Sequence, residues 1–357
     1  TGQPLHFINL LEEIDKPGEW YLDRDTGMLY FYPPDEIDEH TDFPTVHFPV
    51  QEHPFITMND VHNVAIIGLS FELNRSDAII MKDCEDCMIA GCSIRRMGGN
   101  GIVARGGHRV VLACNDLISL GAGGVRIFGG DRATLTPSGH VVFNCVIEDF
   151  ARVDRSYAAA IHMDGVGIHV GNNRIGNSPH YGIRAEGDLH MIMLNEFHHL
   201  VLEFDDQAAI DMWGDPTYRG NWITDNYFHD IGSGHNVAGQ SGIRLDDAIS
   251  STVIAKNIFE RSADGRFGAV QIHGGKDNAV MKNLFIDCQY AVSFSAWGEQ
   301  RWAETLARPD FAAKIERGSN PLRLETFPDL ADIPSHADRN FFIRNFTVGC
   351  GPFTTRD

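Results

Sequence analysis

The chain has 357 residues, with 49 acidic against 29 basic side chains and a formal net charge of −20. Such a surface repels nucleic acid and anionic membrane, which sets both aside as partners, and no apolar run reaches bilayer-spanning length. Seven cysteines include one C-x-x-C pair, Cys84 and Cys87, but no second pair or nearby histidine completes a zinc site, so neither metal nor cofactor is expected.

Residues 1–60 carry no repeat. Glu19-Trp20-Tyr21-Leu22 and Met28-Leu29-Tyr30-Phe31-Tyr32 are aromatic runs around Asp23-Arg24-Asp25-Thr26-Gly27, a turn composition, and they predict a β-hairpin ended by Pro33-Pro34. This segment is expected to cap or pack on the first coil of the repeat beyond it, because a solenoid end must be covered. No signal peptide opens the chain, but Thr1-Gly2 looks like an internal cut, and the expected location is secreted or periplasmic.

Beyond residue 60 a short motif recurs: an apolar run, a small or amide residue, then another apolar run. Its marker falls at Leu69, Cys92, Asn115, Cys145, Asn173, Asn195, Asn226, Asn257, Asn283 and Asn345. A period near one short coil, with small insertions between β-rich runs, predicts an all-β fold, a right-handed parallel β-helix, expected to be monomeric. Glycine and asparagine at the turns suit αL geometry. Cys92, Cys114 and Cys145, at or beside markers, are expected to stack as small buried hydrophobes. The β-helix domain spans 61–357, with coils over 61–294 and an insertion at about 296–338. Glu299-Gln300-Arg301-Trp302-Ala303-Glu304-Thr305-Leu306 and Phe311-Ala312-Ala313-Lys314-Ile315 give that insertion helical character. A last coil returns at Asn340-Phe341-Phe342-Ile343-Arg344.

A second strand family alternates with the first at 101–105, 124–128, 160–164, 182–186, 209–213, 242–246, 269–273 and 291–295. Its second and fourth residues point inward, so the third and fifth face outward. The third-position column reads Val103, Arg126, His162, Arg184, Asp211, Arg244, Gln271, Ser293. The fifth reads Arg105, Phe128, Asp164, Glu186, Trp213, Asp246, His273, Ser295. With coils ~4.8 Å apart, Asp211 sits between Arg184 and Arg244, which would hold it ionised. Glu186, Trp213, Asp246 and His273 follow one another on the same face.

Glycosidic hydrolysis needs two carboxyl groups flanking the bond, and an aromatic face such as Trp213 suits a sugar ring. Residues 214–221 and 232–240 are expected to wall a groove there. Asp211 is a catalytic candidate by position, or one member of a charge-neutral ladder. His198-His199 and His229-Asp230 read as structural. Two other readings stand beside hydrolysis. A polysaccharide lyase would use Lys276, Arg219 or Arg244 as base, with Asp205, Asp206 and Asp247 on Ca²⁺. A non-catalytic carbohydrate-binding solenoid would need no acid at all.

Three stretches sharpen this picture: Asp206-Gln207-Ala208-Ala209-Ile210-Asp211 running on to Thr217-Tyr218-Arg219-Gly220-Asn221, then Gly242-Ile243-Arg244-Leu245-Asp246-Asp247, then His273-Gly274-Gly275-Lys276-Asp277-Asn278. Together with Pro17-Gly18-Glu19-Trp20-Tyr21-Leu22-Asp23, they resemble glycoside hydrolase family 141 from about Leu11 to Asn345. The chain has Asp211 where that family has tyrosine. The resemblance implies α-L-fucosidase- or xylanase-like activity on an oligo- or polysaccharide. It also implies catalytic aspartates at Asp206 and at Asp246 or Asp247. Glu186, Trp213, His273, Arg244 and Arg219 are the expected substrate contacts.

Overall fold

The computed structural model describes residues 7, 9–33, 46–234 and 237–356. It divides into two units, Thr1–Phe48 and Pro49–Asp357. In the first, Trp20–Leu22 pairs antiparallel with Leu29–Phe31, the hairpin that the turn composition predicts. Asp23 ties its turn, accepting from the Asp25 N–H at 3.0 Å and from the Thr26 hydroxyl at 2.6 Å. The division comes before the expected boundary at residue 60 because Ile56–Asn59 already pairs in parallel with Ile79–Lys82, as the first strand of the repeat.

Each coil of the second unit lays one strand in each of three sheets. Ile102–Arg105 lies in the first, Val111–Ala113 in the second and Asp116–Ile118 in the third; Val125–Gly129 then starts the next coil in the first sheet. Among the described residues the first sheet has 12 strands and the others 10 each. All neighbours in them are parallel except Ala263–Gly265, which pairs antiparallel with Gly239–Asp246. This is a parallel β-helix. Like positions stack into columns, and the core is built of them: Phe197, Phe228, Phe259 and Phe285 are fully buried with successive ring centroids 4.7, 4.7 and 5.0 Å apart. That is the spacing between neighbouring strands.

The marker column lies between the second and third sheets. The backbone N–H groups of Asn173, Asn195, Asn226 and Asn257 each donate to the Oδ1 of the next marker at 2.9–3.0 Å. Each marker's Nδ2 donates to a carbonyl of the preceding coil, as Asn226 does to Ile192 O at 3.0 Å. The ladder therefore satisfies backbone that the turn would otherwise leave unpaired inside the solenoid. The markers do not themselves take αL geometry. The residue before each does, including Leu194 (φ 59°), Lys256 (φ 56°) and Lys282 (φ 57°). Cys92 and Cys145 are buried in the column as expected, whereas Cys114 occupies an αL position and is exposed. A second column, unread in the sequence, separates the first and second sheets. There Val110 N–H donates to His140 Nδ1, His190 N–H to Asn221 Oδ1 and Thr252 N–H to Asn278 Oδ1.

The insertion folds as three helices, α1 (Gly298–Leu306), α2 (Pro309–Gly318) and α3 (Pro321–Thr326), around a small core containing Trp297, Trp302, Phe311, Leu330 and Ile333. It is pinned to the turns that leave the first sheet. The fully buried Arg323 holds Asp188 through two nitrogens at 2.7 and 3.0 Å, and Lys314 Nζ donates to Gly214 O at 2.6 Å.

Candidate active site

The outer face of the first sheet carries the columns read from the sequence. The register pairs Arg126 with His162, His162 with Arg184, Arg184 with Asp211, Asp211 with Arg244 and Arg244 with Gln271. It also pairs Asp164 with Glu186 and Trp213 with Asp246. Two hollows open on this face, of about 920 and 400 Å³, and they share Asp206 and Arg244.

Arg244 organises the centre. Its Nη2 lies 2.9 Å from Asp206 Oδ1 and 3.1 Å from Asp246 Oδ1. The two carboxylate oxygens are thus no farther apart than the 6.0 Å those contacts add up to. His273 Nδ1 closes on the other side, 2.9 Å from Asp246 Oδ1 and 3.1 Å from Asp247 Oδ1. Trp213, nearly half exposed, donates through Nε1 to Asp247 Oδ2 at 3.2 Å.

Backbone geometry places these groups. Asp206 (φ 60°) turns the chain into the strand Gln207–Trp213. Asp246 ends the strand Gly239–Asp246, and Asp247 (φ 44°) and Ala248 (φ 72°) take positive φ in succession. Such conformations cost non-glycine residues about 1–3 kcal/mol each. Gly275 follows His273 for a steric reason: a Cβ there would stand 2.2 Å from Ile249 O.

The electrostatics divide the acids. Partial burial, reinforced by Asp246 and Asp205, raises the Asp206 carboxyl above the usual aspartate range against the pull of Arg244. The His273 hydrogen bond, with Trp213 and Arg244, lowers Asp247. Burial opposes the charge on His273, yet bonds to Asp246 and Asp247 raise it to about 9. Burial also works against ionised Glu186, but His162 and Arg184 bring it down to about 2.

The structure brings together Asp206, Asp246, Asp247, Arg244, His273, Trp213 and Glu186. One expected member, Arg219, sits elsewhere. Arg219 is buried (3% exposed), binding Asp329 at 2.8 Å and the carbonyls of Pro216 and Tyr218 at 2.8 Å. It anchors the insertion and has no face toward substrate. Asp211 keeps its place in the column and lines the floor of the larger hollow, but at only 2% exposure and bonded to Arg184 rather than as an exposed rung. Burial raises it to about 6 against the pull of both arginines. The groups a lyase would need are also committed. Lys276 is buried against the carbonyls of Asp332 and Ser335. Asp205 accepts the N–H groups of Val237, Ala238 and Gly239.

The walls differ from expectation as well. Residues 214–221 run beneath the helices and are almost wholly buried. The larger hollow is walled instead by 153–159, including Arg155 and Tyr157. The 28-residue step from Cys145 to Asn173, against 22 from Asn173 to Asn195, was the available signal. Ala238, within 232–240, does line the smaller hollow, together with Arg266, Arg301 and Arg356, which the columns missed.

A family model described as "Right handed beta helix region" matches residues 77–154 and 159–303. The chain belongs to the right-handed β-helix family. No curated protein sequence matches this β-helix chain. Two similar solved structures are of DFA-IIIase from Arthrobacter chlorophenolicus A6. The one in complex with GF2 is 13% identical, covers 62% of this β-helix chain and 58% of that chain, and has a TM-score of 0.43. The other is 13% identical, covers 66% and 52%, and has a TM-score of 0.40. The chain thus spans between half and three-fifths of the length of these neighbours.

Proposed function

We propose that this β-helix is a glycoside hydrolase, with Asp206 as acid/base and Asp246 as nucleophile. The observation that carries the reading is that both carboxylates face one hollow while sharing a single guanidinium nitrogen. Asp206 is the more exposed, at 59% against 13% for the Asp246 side chain, and its carboxyl is shifted upward, the direction a general acid needs. Asp246 accepts from Arg244 and His273, which fix the position of its carboxylate at the floor of the site. Asp247 lines neither hollow and acts by holding Trp213 and His273 in place.

An oxygen separation of at most 6.0 Å falls below the ~6.5–9.5 Å that leaves room for an inverting water, and it allows the ~5–5.5 Å of retaining enzymes. Retention of anomeric configuration is therefore part of the proposal. The three ordered motifs support a family 141 activity, α-L-fucosidase- or xylanase-like, on a polymer met outside the cell or in the periplasm. Aryl glycosides and plant or algal glycans are the assay, with product configuration followed by proton NMR. Asp206→Asn and Asp246→Asn must each remove turnover. Full activity in either variant, or an inverted first product, would sink this assignment.

A further inference from the structure

The smaller hollow has a charge that contradicts the rest of the molecule. The chain has 49 acidic and 29 basic residues, yet this hollow is lined by four arginines and His273 against one carboxylate, Asp206. Arg244 is occupied by Asp206 and Asp246. The other three, Arg266, Arg301 and Arg356, have no carboxylate partner among the described residues. Arg301 is oriented by stacking on Trp297, at 4.3 Å from the ring centroid, and by a 3.4 Å contact with His273 Nε2. These cations come from three separate places: the turn after Ala263–Gly265, helix α1 and the last stretch of the chain. Three guanidiniums repel one another unless an anion lies between them. At the far side, Arg126 repeats the feature. It lines the larger hollow, has no carboxylate partner among the described residues, and buries its Nε with no hydrogen-bond partner.

We infer that the 400 Å³ hollow is a subsite for an anionic sugar residue, bearing a uronate carboxylate or a sulfate ester, read by Arg266, Arg301 and Arg356. This rests on the glycosidase reading and names its substrate class. Asp206 lines both hollows, so a sugar in the smaller one would place its glycosidic bond at the proposed acid. Guanidinium matches planar carboxylate and sulfate oxygens through paired N–H donors, which neutral hydroxyls do not reproduce at this charge density. The unoccupied cations therefore select for charge rather than for sugar shape.

Direct binding tests this apart from catalysis. Calorimetry on the wild-type chain, with Asp206→Asn as a turnover-silent control, compares oligogalacturonate with its carboxyl-reduced form. A second pair compares sulfated galactan oligosaccharide with its desulfated form. The acidic member of at least one pair should bind at least ~10-fold tighter, and which pair responds tells carboxylate from sulfate. The double variant Arg266→Gln/Arg301→Gln should lose ~10–100-fold in that affinity, the worth of one or two charged hydrogen bonds. Its affinity for neutral members and its unfolding midpoint should not change. Equal affinity within both pairs, no binding to either acidic member, or a preference untouched by the double variant overturns the inference. Cleavage of neutral glycans without acidic preference would overturn it and leave the glycosidase standing. Arginine-dependent acidic binding without cleavage would do the reverse.

Discussion

Two faces of this solenoid carry stacked histidines, carboxylates and arginines, and the two hollows that share Asp206 open on the first sheet. On the third sheet, His198 lies 3.2 Å from Glu148, His229 lies 3.2 Å from Glu196 and 2.8 Å from Asp230, and Arg261 lies 2.6 Å from Asp230. None of these residues lines either hollow of the first sheet. On the first sheet the same residue types meet beneath walls, and among the described residues Arg126 and the bordering Arg266, Arg301 and Arg356 have no carboxylate partner. Charge density alone therefore does not mark a site. Concavity does, together with groups whose partners are missing, because a flat face lets every charge pair locally and be solvated.

The largest expected contrast is in turnover. Asp206→Asn or Asp246→Asn should cost at least ~10²–10⁴-fold in kcat, while Glu196→Gln, equally charged but on the flat face, should leave kcat unchanged. A comparable loss at Glu196 would erase the distinction between the faces.

Burial of charge separates them next. Asp211→Ala leaves the partly buried Arg184 with Glu186 as its remaining carboxylate at 2.8 Å, and should cost about 3 kcal/mol in denaturant unfolding. Removing Arg174, about half exposed between Glu148 and Glu196, should cost no more than about 1 kcal/mol. An unchanged midpoint for Asp211→Ala would mean that the floor of the groove is open to water.

The histidines should respond to pH in opposite senses. His273 is raised from 6.5 to about 9, so its contribution is complete below pH 6.5 and is lost as pH rises to about 9. The amount is on the order of 3 kcal/mol. His198 is lowered by burial, with Arg174 adding to the effect. Its contribution is present above pH 6.5 and is lost as pH falls through its folded value. His273→Gln should flatten the alkaline limb of the stability profile only. Flattening of the acid limb instead would reverse the assigned signs.

The turn ladder, between the second and third sheets, should have the smallest effect on turnover. Asn226→Ala removes the acceptor for Asn195 N–H and the donor to Ile192 O. It should cost about 1–3 kcal/mol with catalysis unaltered, read by thermal unfolding beside kcat. A simultaneous loss of activity would show that the ladder sets the site's register.

The repeating asparagines determined the coils, their register and the columns on the first sheet, because a side chain that must satisfy buried backbone recurs once per coil. Glu186, Trp213, Asp246 and His273 could be put on one face from the strand alternation, whereas Asp206, at the turn into its strand, came only from the family resemblance. What lay above the face was not local information. Arg219 and Lys276 read as groove cations, but the helical insertion, some 60–110 residues further on, buries them. Asp211 read as an exposed rung, but the groove walls desolvate it. Arg266, Arg301 and Arg356 fall outside every column and meet only in space. The alternation of a strand says which way a side chain points; only the tertiary structure decides whether water, a helix or a ligand stands there, because solvation depends on every segment that reaches the spot.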